Sequence, residues 1–564
     1  MVRGNVLPAA IALTAIAAAL SGPARPEVLT VGPAVVRTVG TNRLRPPGRL
    51  PELLPPAPDV IEREPVGTRG RNDSGDSAEQ LGSRSVTVLG ALSPASQATT
   101  AIPPAAGDDG SIRLATRTGI GPHRPGITTT GEIGGGPRAS DVYRVDAAAG
   151  DTIIIKVAAD RLDAAIVLYD SRGTAVDFND NRVTDPNPVL THRVATAGAY
   201  YARVTASGTS GPAATGPYRL SIVSAAADVD VYAIRLRRGD VLGAATTGSP
   251  DMLTVFDPAG RDVHGSTGDA ASNYPALSPL PHGDLSTDHI ATTDGWHYIQ
   301  VAGTGGTYRL TLVVSRPRLE HTGDVQTIYL DYDGARVDPA IFANSGIEIP
   351  DPTGQRAFPA LRTFLPAWGL KSTDEGALEK TVTADVRRNL QVGGGSAAHV
   401  ASSADGPDLY GRRDVSRVVV GGTMKDSGLP TIGIAQSIDP GNYATEETAV
   451  VLTDILSDTA ADPDSINAYL TGSRDRVGYI AEVLSDYISH EVGHLLGNWH
   501  TQPTDGRPGL MDSTDIARIV AGRDGIGGTA DDQRIPFATN DYLASDGFNG
   551  QENTAARVAA ALSH

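Results

Sequence analysis

Hydrophobic positions fall into different patterns along this chain, and each pattern predicts a different kind of element. Residues 6–20 are an uncharged, mostly apolar run between Arg3 and the stretch Ser21-Gly22-Pro23-Ala24. Such a run is short for a membrane span and has the length of the central part of a secretory signal peptide, expected over residues 1–22. From 23 to 126 periodicity is weak and Pro, Gly, Ser and charge dominate, as in Arg45-Pro46-Pro47-Gly48-Arg49; a disordered linker or propeptide is expected there. Between 127 and 317 short alternating stretches separated by Gly and Asp predict antiparallel strands. Beyond 320 the pattern is mixed. Residues 326–332 alternate like a strand, Leu378, Val382, Val386 and Leu390 recur at helical spacing, and strand-like runs follow at 416–421, 431–436 and 448–453. A helix is predicted over about 475–496, with Ile480, Leu484, Ile488, Val492 and Leu495 on a core stripe and Val483, Tyr487, His490 and His494 on a neighbouring one. Residues 552–562 read as a closing helix.

The β region contains an internal repeat. Asp141-Val142-Tyr143-Arg144-Val145 followed by Gly150-Asp151-Thr152-Ile153 recurs as Asp230-Val231-Tyr232-Ala233-Ile234 followed by Gly239-Asp240-Val241-Leu242. The later parts correspond too: Tyr200-Tyr201 and Tyr218-Arg219-Leu220 match His297-Tyr298 and Tyr308-Arg309-Leu310. Two tandem β-sandwiches, 127–224 and 225–317, are therefore expected. Both copies resemble the bacterial pre-peptidase C-terminal (PPC) domain, a module appended to secreted proteases, although here they precede the candidate catalytic region. Tyr201, Trp296 and Tyr298 could contact a cell-surface or matrix polymer, or simply pack within strands.

The densest chemistry lies at His490-Glu491-Val492-Gly493-His494-Leu495-Leu496-Gly497-Asn498-Trp499-His500, followed by Leu510-Met511-Asp512. Histidines four apart share one face of a helix, so two imidazoles can converge on one ion. A third ligand needs the chain to turn, and Gly497 stands where a positive φ would let His500 swing back. This pattern resembles the metzincin clan of zinc endopeptidases. The resemblance implies an α+β peptidase domain over 320–564, a multidomain fold of two all-β sandwiches followed by that domain, and Zn2+ held by His490, His494 and His500. It also implies Glu491 as general base to a zinc-bound water, Gly497 as the turning glycine and Met511 as the methionine beneath the metal. Some metzincins carry a Tyr two residues after that Met to assist the oxyanion; Ser513 stands there, and the role is not carried over. In the clan a sheet-edge strand pairs with the extended peptide substrate. Thr431-Ile432-Gly433-Ile434-Ala435 is the candidate here, with an internal strand as the alternative.

Composition narrows the partners. A net charge of −18 argues against nucleic acid and anionic membrane. With no Cys there can be no disulfide, thiolate zinc site or cysteine-based latency. Ca2+ is a second candidate cofactor, at Asp524, Asp531 and Asp532 on a Gly-rich turn, and at Asp177, Asn179, Asp180 and Asn181; polar turns explain both equally simply. The expected protein is a secreted endopeptidase acting on protein or peptide substrates, with no membrane span once the signal is removed. The alternative is a surface-binding or adhesion protein whose sandwiches are the working parts and whose zinc site is ancillary.

Overall fold

The strand Val86–Leu92 reveals how the chain is assembled. It lies in the computed structural model, which describes residues 60–563 except 64–71, 83–84, 94–98, 105–108, 122–123, 135–138, 180–186, 195, 207–214, 226–227, 344, 346, 348, 350, 392–397, 504–505, 514 and 544–545. The expected signal peptide and residues 23–59 lie outside the described residues. The expectation of disorder up to 126 is corrected at the strands that the described residues form from 60 onward. Val86–Leu92 pairs antiparallel with Gly306–Leu312 of the second repeat, burying Val88 and Leu92. Alternation over seven residues is enough to bury one face of a strand; the polar composition around it concealed that.

This strand belongs to the second sandwich by register. Gly90 faces Tyr308, and an added Cβ there would fall 2.4 Å from the ring. Gly131 faces Tyr218 in the first sandwich in the same way, at 2.3 Å. Each repeat therefore opens with a glycine-bearing strand that makes room for a tyrosine on its last strand, and the opening strand of the second repeat precedes the whole first repeat. The first sandwich is an insertion within the second. Its ends meet, since the Ser93 amide donates to the Asp228 carboxylate.

The first sandwich comprises two five-stranded sheets, all of whose strands come from residues 99–225. One runs Ala175–Asn179, Ala164–Tyr169, Gly198–Ala206, Ser140–Ala147, Thr116–Arg117; the other runs Val189–Arg193, Thr152–Ala159, Gly216–Ala225, Gly126–Ile133, Thr99–Ala101. Ile127, Tyr143, Ile153, Ile155, Ile166 and Leu220 lie among the residues buried between them. In the second sandwich the long strands Val241–Phe256 and Gly295–Ser315 run through both layers, kinking where the register shifts around Pro250. Its nine-stranded sheet also takes in Phe548–Asn549 from the far end of the chain. In each core two tyrosine hydroxyls and an aspartate form a chain: Tyr143 and Tyr218 (2.7 Å apart) with Asp141, and Tyr232 and Tyr308 (2.6 Å) with Asp230.

The C-terminal region is built on a five-stranded sheet ordered His399–Ser402, Thr327–Asp331, Val415–Val420, Thr448–Val451, Gly433–Ala435. All neighbours are parallel except the last pair, which places Gly433–Ala435 antiparallel at the edge. The central strands Val415–Val420 and Thr448–Val451 are buried on both faces, which is why Val418-Val419-Val420 and Ala449-Val450-Val451 are apolar without alternation, while Ser416 and Arg417 are buried polar residues at the start of the first. Helices Glu375–Asn389 and Arg476–Leu495 cover one face, packing Leu378, Val382, Ile480, Leu484 and Ile488 on Val418, Val420 and Val451. Asp475 starts the second helix by accepting the Gly478 amide at 2.9 Å. Sixteen of its twenty residues are buried, because the segment after 510 covers the side that the two-stripe pattern leaves toward solvent. Among the described residues no helix is long and apolar enough to cross a membrane.

Candidate metal centre

His490 and His494 stand on consecutive turns of the buried helix Arg476–Leu495, their ring centroids 4.8 Å apart. The helix ends at Leu496, and Gly497 reverses the chain with φ 91°. Its conformation and its surroundings both require glycine, since a Cβ there would fall 2.5 Å from Pro440 Cα. The returning segment is fixed by Asn498 N to Gly493 O (2.9 Å) and Thr501 N to Met511 O (2.8 Å). His500 is thereby carried to within 5.3 Å of His490 and 4.7 Å of His494, centroid to centroid.

Each imidazole has its Nδ1 turned to an oxygen. His490 donates to Leu510 O at 2.6 Å and His494 to Asn498 O at 2.8 Å; His500 Nδ1 lies 3.2 Å from Asp546 Oδ2. Carbonyl oxygens only accept, so the first two rings are protonated on Nδ1 and present bare Nε2 lone pairs inward. Those two Nε2 atoms lie 3.2 Å apart with no proton to share. Two lone pairs facing at that distance repel unless a cation lies between them, and the separation is close to the edge of a tetrahedron with zinc–nitrogen arms, about 3.3 Å. Among the described residues His490, His494 and His500 are the group whose ligating atoms gather for a metal, all within 4.8 Å. Burial, with the neighbouring His500 adding to it, pushes His490 down to about 3 and His494 well below its ordinary value. Neutral imidazoles suit a cation, and the donor set fits zinc with an open position.

Glu491, between the ligands in sequence, is buried and lifted by that burial to about 8. Its carboxylate lies against the edge strand Gly433–Ala435: a Cβ at Gly433 would fall 2.1 Å from Glu491 Oε1. Met511 is wholly buried beneath the helix, and a Cβ at Gly493 would meet its Sδ at 2.5 Å. Asp512 ties the turn together, accepting the Thr501 hydroxyl at 2.7 Å, the Gly509 amide at 2.8 Å and Asn540 at 3.1 Å.

Sequence reasoning missed the supporting oxygens. Asp546 lies 46 residues after the histidine it holds, with no local pattern to mark it. Asp512 adjoins Met511 and could have been singled out as a side chain able to cap its own turn. The Asp-rich loop turns its carboxylates to its own amides: Asp531 accepts Arg523 N (2.9 Å) and Asp524 N (3.1 Å), Asp532 accepts Gly528 N (2.8 Å), and Asp524 accepts Ile526 N (2.8 Å). At the other expected calcium position Asp180 and Asn181 lie outside the described residues; Asp177 lies 3.1 Å from His192 and Asn179 accepts the Val189 amide at 3.2 Å. Tyr201, Trp296 and Tyr298 are half-buried, and Tyr298 lies close to Gly75.

Residues 139–206, within the first sandwich, are a PPC domain by their match to the family described as the bacterial pre-peptidase C-terminal domain. No curated protein matches the chain. Among solved structures the chain is similar to PliG of Aeromonas hydrophila, a periplasmic inhibitor of g-type lysozyme, at 16% identity over 22% of this chain and 99% of that one, with a TM-score of 0.16. It is also similar to the pre-peptidase C-terminal domain of a collagenase from Bacillus anthracis, at 22% identity over 17% of this chain and 86% of that one, with a TM-score of 0.14. Scores this low leave the PPC assignment resting on the family match, which ends before the second sandwich and the histidine centre.

Proposed function

We propose that the chain is an exported zinc-dependent endopeptidase of the metzincin type. The observation that carries this reading is the convergence of three imidazoles whose Nδ1 atoms are turned to oxygens, with a buried glutamate beside them and a sheet-edge strand next to it. Zinc held by His490, His494 and His500 would supply Lewis acidity, acidifying water and polarising a carbonyl. The protein's own groups then have separate tasks. Glu491 accepts the proton of the attacking water at its carboxylate and returns it to the departing amine. The outer edge of Gly433–Ala435 offers main-chain donors and acceptors to an extended peptide, binding it with weak sequence preference. Gly433 lets that peptide approach Glu491, because a side chain there would occupy the same space as the carboxylate. Export is supported by the apolar run at 6–20 and by the PPC domain.

The test is zinc content together with casein cleavage for wild type and Glu491→Ala. The variant should keep about one zinc and lose nearly all cleavage, since base and ligands are different residues. Equal cleavage by both proteins would end the mechanism, and a wild type that holds no zinc would end the assignment.

A further inference from the structure

The arm that delivers His500 is gripped by the second sandwich. Asp288, on the strand Leu285–Ile290, is fully buried, and its Oδ1 accepts the Trp499 indole N–H at 2.9 Å and the Tyr274 hydroxyl at 3.1 Å. Its other oxygen pairs with Arg557 of the closing helix Thr554–Ala561. Arg557 in turn donates to Gly497 O at 2.9 Å and pairs with Glu552 at 2.6 Å, and Glu552 accepts the Trp499 amide at 3.2 Å. One carboxylate thus touches the neck of the arm on both sides, directly at Trp499 and through Arg557 at Gly497.

The second grip is main-chain. Phe548–Asn549 pairs with Gly265 and Ser266 as a strand of the second sandwich's sheet, two residues beyond the Asp546 that holds the His500 ring. Trp499, Tyr542 and Phe548 pack with Tyr274, Val241 and Ile290 into one apolar cluster spanning both regions. His264 stacks on Tyr542 with centroids 4.3 Å apart.

The geometry points to Asp288 as a positioning residue for the histidine centre, and to the second sandwich as a working part of that centre rather than an appended module. A buried ion pair is seldom the cheapest way to stabilise an interface, because desolvating the charges cancels most of their attraction and apolar packing would serve as well. An apolar cluster could not aim donors and acceptors at Gly497 O and Trp499. In its effect on metal the inference rests on the zinc reading; in its effect on the arm it stands alone.

The test uses the full chain with Asp288→Asn, with Trp499→Phe, which keeps an aromatic ring but removes the indole donor and part of the ring, and with Val88→Ala. Val88 lies in the same sandwich three strands from Asp288, so its variant reports general loosening. In metal-free protein, amide hydrogen exchange across 498–501 should rise about tenfold or more in both arm variants, and not in Val88→Ala at a comparable loss of Tm. Zinc affinity, measured by chelator competition, should fall about tenfold in the same two, as for outer-shell supports. Unchanged exchange in both arm variants, or an equal rise in Val88→Ala, overturns the inference. A wild type that binds no zinc removes the hydrolase reading, while the exchange result still decides whether Asp288 holds the arm.

Discussion

The two sandwiches carry the same internal signature, a glycine under a tyrosine and a chain of two tyrosine hydroxyls and an aspartate, yet they relate to the rest of the protein in opposite ways. Every strand of the first lies within 99–225, and the segment leaves and rejoins the chain at the hydrogen-bonded pair Ser93 and Asp228. The second gathers strands from 60–92, from 229–315 and from 548–549, and shares buried charges with the histidine arm. Strands drawn from one contiguous stretch make a module that can be carried or lost. A sheet that recruits strands from distant parts of the chain becomes part of whatever those parts build.

The largest effect should come from removing one sandwich or part of the other. Deleting residues 1–92 takes away the strand beside Gly306–Leu312 and exposes Leu310 and Leu312, so the histidine centre should be lost with the second sandwich. Replacing 94–227 by a short linker should leave a cooperative melt and the same zinc content, at the cost of the Lys156–Asp251 pair. Loss of zinc from the second deletion, or its retention in the first, would erase the contrast. Any proteolytic maturation that spares the second sandwich should cut before the strand Val86–Leu92, which N-terminal sequencing of secreted protein would check.

Next come the residues that bridge sandwich and centre. Asp546→Asn should weaken zinc binding about 10–100-fold by loosening the His500 ring. Gly433→Ala should leave zinc affinity nearly unchanged yet cut kcat about 100-fold, because the new Cβ displaces Glu491. Titration and casein kinetics separate the two. A smaller effect is expected from matched hydroxyl deletions, each costing about 1–3 kcal/mol. Tyr308→Phe should lower the melting of the unit that carries the histidine centre, whereas Tyr218→Phe should affect the first sandwich alone.

The smallest is a difference in pH response within the second sandwich. Burial lifts Asp230 to about 9 although the Tyr308 hydroxyl opposes it. Burial pushes Asp288 upward as well, but Arg557, His264 and the Trp499 donor together outweigh it and hold the group below the ordinary carboxylate value. A raised folded value means that Asp230 contributes fully below about pH 4 and loses that contribution as pH rises toward 9. A lowered one means that Asp288 contributes above about pH 4 and loses it in acid. Asp230→Asn should therefore flatten the alkaline fall in Tm and leave the acid limb intact.

Local pattern was enough wherever a side chain's neighbours in space are its neighbours in sequence. The stripe Ile480, Leu484, Ile488 and Val492, the ligand spacing of His490 and His494, the turn at Gly497 and the repeat Asp141-Val142-Tyr143 against Asp230-Val231-Tyr232 all depend on periods of two or 3.6 residues and on one positive φ. The strand Val86–Leu92 had the alternation but was outweighed by the polar composition on either side of it. Which strand it would pair with could not be read at all. The whole first sandwich and most of the second lie between Gly90 and Tyr308 in sequence, and no local preference selects a partner that far away.

By itself the sequence determined the repeat, the ligand helix and the turn that sends His500 back toward it, because each is set by backbone periodicity and side-chain spacing over a few residues. Only the tertiary structure decided that the first sandwich is inserted in the second, that Asp546 holds His500, and that Asp288 and Arg557 brace the arm. Those are contacts between distant parts of the chain, and burial of charge and apolar surface in the folded molecule selects them; no spacing along the chain encodes them.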